Sequence, residues 1–145
     1  MTLLLNKTFT FENIQISIYG TKETPMFIGN EIASLLKFSR PRDAIHDHVW
    51  KENKITVKEY EEKNNCVLNI EQKKTYLINE PAVYQLIFSS KLERAKELQR
   101  WVFNIVLPEI RKTGQFTMKK PEHNQIVLMN EFDLHTQIVN FIRRI

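Results

Sequence analysis

Apolar and polar side chains alternate strictly along residues 7–19. Phe9 and Phe11 stand before Glu12 and Asn13, and Ile14, Ile16 and Ile18 follow, which predicts two short strands joined by a tight turn. Residues 26–28 can make a third strand. The period then becomes helical: Ile32, Leu35 and Leu36 share one face of a helix that Asn30 is placed to cap and that runs to about Lys37. A second short helix is predicted from Pro41 to about Trp50, with Ser39 as its cap. Proline suits its first turn, where the missing N–H costs nothing.

Further strands are expected at Ile55 and Val57, over residues 67–70 and over residues 75–78, separated by a charged loop at 61–65 and a turn near Gln72 and Lys73. Asn79 can cap a helix with Pro81 in its first turn and Val83, Leu86 and Ile87 on its apolar face. Residues 91–114 predict the longest helix. Ser90 and Glu93 have the spacing of a capping box, Pro108 should kink or restart the helix after Leu107, and Gly114 suits its end. The first half of this helix is amphipathic. Its second half, residues 101–107, is apolar on every side except at Asn104, so it should run through the middle of a core. The predicted fold class is α+β: a small antiparallel β-sheet, a helix-turn-helix-like pair and a long core helix.

Beyond Phe116 the pattern changes. Residues 1–116 read as one domain and residues 117–129 as a linker. Residues 130–145 read as an amphipathic helix capped by Asn130, with Leu134, Ile138, Phe141 and Ile145 on one face. That helix can be a docking element or the start of a second domain.

Composition narrows the class. A chain of 145 residues with 42% hydrophobic and 26% charged positions has enough apolar surface for one core without a metal or disulfide staple. Cys66 is the single cysteine, so no internal disulfide can form and a reducing compartment is expected; its alternating apolar surroundings suggest an inert thiol in a strand. The opening MTLLLNK is too short an apolar run for a signal peptide, and no stretch is long enough to span a bilayer. The expected location is the interior of a cell. Net charge is +4 and the isoelectric point about 9.2, a weak footprint of nucleic-acid binding. The excess lies in residues 91–120, which hold eight Lys or Arg against three Glu.

The two short helices are candidates for a helix-turn-helix, which lays its second helix in the major groove of duplex DNA. On that helix Ala44, Ile45, His48 and Val49 should face the core, His48 as a buried histidine. Arg42, His46 and Trp50 recur at i, i+4 and i+8 on the outer side, with Arg40 and Lys51 flanking them. A guanidinium, an imidazole and an indole in one stripe can contact phosphate, hydrogen-bond base edges and pack on sugar. Asp43 and Asp47 lie beside the stripe and would repel phosphate, unless they complement the helix dipole and orient the arginines. Arg111, Lys112, Lys119 and Lys120 form a second cationic group, suited to phosphate contact without sequence preference. The outer face of the long helix, Glu93, Glu97, Arg100 and Asn104, mixes signs and reads as scaffold.

Asp43, His46 and Asp47 have a spacing that can converge on a metal, yet no second cluster completes a shell, so no metal or cofactor is expected. Three glycines leave no phosphate-cradling loop, and Cys66 has no recognisable catalytic partners, so no enzymatic activity is expected.

The run PRDAIHDH, followed by YLINEPAVYQLIFSSKLERAKELQRWVFNIVLPEIRKTG, resembles the Bro-N domain, the amino-terminal module of the baculovirus repeated-open-reading-frame proteins, which is also similar to phage antirepressor domains. The resemblance covers residues 9–116 and is most specific over 77–114. It implies a large DNA virus or a phage as source, a location inside the host cell, and a DNA-binding module acting in viral or host transcription or replication. DNA, expected as duplex, is the partner of that module; the apolar stripe of Leu134, Ile138, Phe141 and Ile145 points instead to host or viral proteins or a second copy of the chain as partners. Where relatives commonly carry glycine between the first two helices, this chain has Leu36-Lys37-Phe38. In some viral relatives a nuclease-like domain follows, and residues 131–144 have the look of its first helix. The rival readings are thus a protein-interaction or oligomerisation module, and the remnant of a longer nuclease-bearing protein.

Overall fold

A five-stranded sheet organises the first part of the computed structural model, which describes residues 5–11 and 14–117. Its strands are β1 (Leu5–Phe11), β2 (Ile14–Gly20), β3 (Pro25–Ile28), β4 (Lys54–Thr56) and β5 (Tyr76–Asn79). They lie in the order β1-β2-β3-β5-β4, and every neighbouring pair is antiparallel. Phe11 faces Ile14 across the first hairpin, as the alternation predicts. The chain divides into two compact units, residues 1–90 and 91–145.

Side-chain alternation gives the sheet two covered faces. Directly opposed residues share a face, so Ile18, Phe27, Ile78 and Lys54 point one way, while Tyr19 and Met26, and likewise Ile28, Leu77 and Ile55, point the other. Three helices cover the first face: α1 (Gly29–Leu35), α2 (Pro41–His48) and α4 (Glu80–Ser89). Ile16, Ile18, Phe27, Ile45, Ile78, Leu86 and Ile87 are all buried there. On the second face α3 (Val57–Asn64) packs Val57 and Tyr60 against Tyr19 and Leu77, joined by Leu68, Cys66 and Ile70 from the loop that follows. The fold class α+β holds, and the burial of Ile32, Leu35 and Leu36 agrees with the predicted pattern.

Several local expectations are corrected. Val57 begins a helix rather than continuing a strand, and α3 replaces the charged loop expected at 61–65; Thr56 Oγ1 caps it by accepting from the Glu59 N–H at 3.2 Å. Residues 67–70 and Cys66 are loop, not strand, because the carboxylate of Glu61 takes their backbone out of any ladder: Oε2 accepts from the Leu68 N–H at 2.6 Å and from Lys73 Nζ at 3.0 Å. Cys66 is half-buried at the edge of that cluster. Helix α1 starts at Gly29, with Ile28 in the cap position instead of Asn30, and α2 has Arg40 there instead of Ser39; neither cap makes a side-chain bond. Asn79 caps α4 as expected, accepting from the Ala82 N–H at 3.0 Å. Ser90 belongs to no capping box: its hydroxyl donates to the Leu36 carbonyl at 3.2 Å, and Leu92 stands at the cap of the next helix.

In the second unit α5 (Glu93–Trp101) leads through a π-helical turn, Val102–Val106, into α6 (Leu107–Thr113), and Gly114 closes it at φ 81°. The π turn is the local answer to Pro108. Proline brings no N–H and its ring crowds the carbonyl four residues back, here that of Asn104. The Leu107 N–H reaches the Val102 carbonyl five residues back, widening the helix where the ring must fit. Ala95 and Leu98 are buried. The core course expected for residues 101–107 is overturned: Phe103, Ile105, Leu107 and Ile110 are 52%, 53%, 50% and 42% exposed. Arg100 bonds Glu93 at 2.8 Å across two turns. The helix expected over 130–145 lies outside the described residues.

Two predictions follow from these local geometries. Lys37 sits at φ 64°, the left-handed position of the α1 C-terminal motif, with its N–H on the Ser34 carbonyl and the Phe38 N–H on the Ala33 carbonyl, both at 3.0 Å. A side chain there costs about 1 kcal/mol, so Lys37→Gly should raise the unfolding free energy by about that much, read in urea as a higher midpoint at unchanged slope. Glu61 is held below its ordinary carboxylate pKa, first by the Leu68 N–H and then by Lys73. The stability it contributes is therefore present above the ordinary value and lost as pH falls through the lowered one. Thermal melts should show Glu61→Gln less stable than wild type at pH 7, with the gap closing in acid.

Candidate nucleic-acid interface

Helix α2 is pinned from below by Ile45, which is fully buried. Its side chain lies so close to Gly29 that a Cβ at that position would be 2.6 Å from Ile45 Cδ1 and 3.3 Å from Ile78 Cγ2. With Ala44 and Val49 also buried, the opposite side of α2 has to face solvent. Arg42, Asp43, His46 and Asp47 all do. His48 is exposed as well, which corrects its expected place in the core; its ring lies 5.8 Å from that of Phe38. The helix ends at His48, short of the expected Trp50, because Val49 is extended, at φ −95° and ψ 125°. Trp50 consequently leaves the helical stripe of Arg42 and His46.

Trp50 is nevertheless presented firmly. It is 66% exposed, and its backbone N–H donates to Gln85 Oε1 on α4 at 3.1 Å. The same oxygen accepts from Asn53 Nδ2 at 3.1 Å, and Asn53 Oδ1 accepts from Asn79 Nδ2 at 3.0 Å. Lys51, exposed, starts the short 3-10 turn Lys51–Asn53 within this chain of amides. Sequence reasoning singled out Trp50 and Lys51 but missed Asn53 and Gln85. Amides of that kind carry no periodic signal.

The arginines are held differently from each other. Arg40 Nε bonds Asp43 Oδ2 at 2.8 Å, so one of the two acids orients an arginine as the sequence suggests. Asp47 Oδ1 lies 3.3 Å from His46 Nδ1. Arg42 escapes both acids. Its NH1 donates to the Lys74 carbonyl at 3.3 Å, and its guanidinium carbon lies 4.8 Å from the centre of the Tyr76 ring. Lys54 Nζ is 5.6 Å from the same ring and 3.4 Å from the Ile45 carbonyl at the back of α2. Strand parity explains the meeting: Tyr76 has the parity of Ile78, and Ile78 is paired with Lys54, so both side chains project on the face that carries α2. Lys54, Lys74 and Tyr76 are functional candidates the sequence did not reveal. Their alternation was visible; which strands would become neighbours was not.

The second cationic group is divided. Arg111 and Lys112 are exposed in the last turn of α6, where cations also suit the helix dipole. Lys119 and Lys120 lie outside the described residues. Near the end of α6, Phe116 turns back on Trp101, edge-on at 5.6 Å, beside an open cleft of about 650 Å³ lined also by Ile105 and Glu109.

Comparison with known proteins places this architecture. The chain is 30% identical over 124 residues to the putative Bro-N domain-containing protein 289L of Invertebrate iridescent virus 6, a match taking 78% of this chain and 30% of that protein. An uncharacterized protein of Haemophilus influenzae is 31% identical over 131 residues, 82% of this chain and 62% of its own. Protein J of Lymantria dispar multicapsid nuclear polyhedrosis virus, also Bro-N domain-containing by its name, is 31% identical over 108 residues, 68% and 27% respectively. The chain thus spans less than two thirds of the length of each of these relatives. No solved structure matches. The model of the BRO family N-terminal domain, Bro-N, matches residues 15–108, which takes in nearly all of β2, the strands β3 to β5, α2 with its cationic surface and most of the helical rod: the chain belongs to the BRO family.

Proposed function

We propose that this chain is a non-enzymatic DNA-binding module that regulates viral or host transcription or replication inside the host cell. The observation that carries the reading is the surface where α2 meets the β4–β5 edge. Arg42 and Lys54 gather there at the Tyr76 ring, and Arg42 is clear of the neighbouring carboxylates. His46 stands on the same outer side of α2, and Trp50 stands exposed just past its end. Cations beside flat rings on a rigid scaffold can meet both phosphates and base edges. Arg111 and Lys112, with Lys119 and Lys120, add affinity of a kind that does not depend on sequence.

If about five phosphates are neutralised, the logarithm of affinity should fall against the logarithm of salt concentration with a slope of about −4 to −5. Fluorescence anisotropy on duplex DNA reads this directly; no binding at low salt, or binding indifferent to salt, rejects it. Arg42→Ala should change the ranking among sequences, whereas Arg111→Ala should weaken all of them alike. Hydrolysis of DNA by the purified chain with magnesium would contradict the non-enzymatic part.

A second reading is favoured by one specific observation. Ile105, Leu107 and Ile110 stand about half exposed on one helical rod, a large amount of apolar surface for a single element to leave in water. A protein-interaction module, with host or viral proteins or a second copy as partner, would cover it. Light scattering should then give a mass above the monomer for wild type and the monomer mass for Leu107→Glu. A monomeric wild type removes self-association.

A further inference from the structure

The Arg42 contact has a feature that bears on how the proposed DNA surface works, and the inference drawn from it rests on that proposal. An arginine on an exposed helix face ordinarily samples many rotamers, and a directed contact to a base edge requires most of them to be given up. Arg42 is already restrained at two points that come from a different element. Its guanidinium lies 4.8 Å from the Tyr76 ring centre, within cation–π range, and NH1 donates to the Lys74 carbonyl at 3.3 Å. Asp43, the nearest acid in sequence, is engaged with Arg40 at 2.8 Å. A guanidinium has five N–H donors, so one donated to Lys74 leaves the others for a ligand. Lys54 Nζ, 5.6 Å from the same ring centre, keeps a second positive charge beside it.

We propose that Tyr76 is the positioning residue of the DNA-contacting surface: its ring fixes the Arg42 guanidinium, so the sequence preference carried by α2 depends on a residue of β5. The ring face does this, and the hydroxyl is not required. Phenylalanine should therefore replace Tyr76 without loss, and an aliphatic residue of similar bulk should not.

The test uses the full chain and a duplex selected by the wild-type protein from a random pool, with a scrambled duplex as reference. In NMR spectra of the free protein the Arg42 Hδ and Hε resonances should be shifted upfield by the ring. That shift should persist in Tyr76→Phe and vanish in Tyr76→Leu. Anisotropy should show Tyr76→Leu binding the selected duplex about two- to fivefold more weakly, the range a partly exposed cation–π contact supports. Binding to the scrambled duplex should be unchanged. Adding Tyr76→Leu to Arg42→Ala should cost nothing further. The proposal is overturned by a wild type without the upfield shift, by equal weakening in Tyr76→Phe, by equal loss on both duplexes, or by effects that multiply in the double variant. Should Tyr76→Leu fail to fold, Arg42→Lys serves instead: it keeps the charge and loses the flat stack, and it should show the same selective loss, while wild-type behaviour in it refutes the idea. A wild type that binds no duplex sinks the DNA reading and this proposal with it, whereas binding with an indifferent Tyr76 sinks this proposal alone.

Discussion

The notch above Gly29 is the constraint on which the first unit depends. Ile45 lies in it: a Cβ at position 29 would stand 2.6 Å from Ile45 Cδ1 and 3.3 Å from Ile78 Cγ2 of β5, so the isoleucine tip would have to shift. Close packing of this kind tolerates little adjustment. It fixes the rotation of α2 about its own axis, since only one side chain of the helix fits there. Once Ile45 points down, Arg42 and His46 cannot do so. The outward display of the cationic face is thus a consequence of core packing, and needs no attraction to a ligand to exist.

What surrounds that face follows from strand alternation and from a few polar contacts. The short strand β4 lies at the sheet edge, and its pairing with β5 sets Lys54 opposite Ile78. Tyr76, two residues before Ile78, then shares the face. The loop that brings the chain into β5 is gathered by Glu61, whose carboxylate binds Leu68 and Lys73 just upstream of Lys74. On the other flank, the amides of Gln85, Asn53 and Asn79 tie α4, the 3-10 turn and β5 together beneath Trp50. Each is a partly buried polar group with its partner present, which is the condition for such contacts to fix geometry at little cost.

Much of this was legible in the sequence, where one period dominated. The β1–β2 hairpin, α1, α4 and the exposed side of α2 all came from clear alternation or clear helical spacing. The failures have specific causes. Residues 57–64 hold few apolar side chains, so a helix buried through Val57 and Tyr60 alone left almost no periodic trace. Residues 67–70 have the composition of a strand, and a single carboxylate 7 residues upstream of Leu68, that of Glu61, diverts them by taking the Leu68 N–H. At Ile28, Arg40 and Leu92 no side chain accepts a capping hydrogen bond from the helix that follows, so no residue type announces them. Arg42 was found from its spacing; its partner Tyr76 was not, because a contact between a helix and a strand distant in sequence depends on strand order, which periodicity does not encode.

The two cationic regions differ in a way that bears on what each can contribute. Arg42 is restrained before any ligand arrives, by a ring and a carbonyl, so a contact it makes loses less side-chain freedom and is more sensitive to geometry. Arg111 and Lys112 stand exposed in a helix's last turn, next to carbonyls that favour positive charge, and no salt bridge among the described residues fixes either. Long side chains free to move follow a phosphate backbone whatever its sequence, at the cost of ordering on contact. Restraint favours discrimination and freedom favours general affinity. The distinction arises from the contacts around residues whose charges are the same.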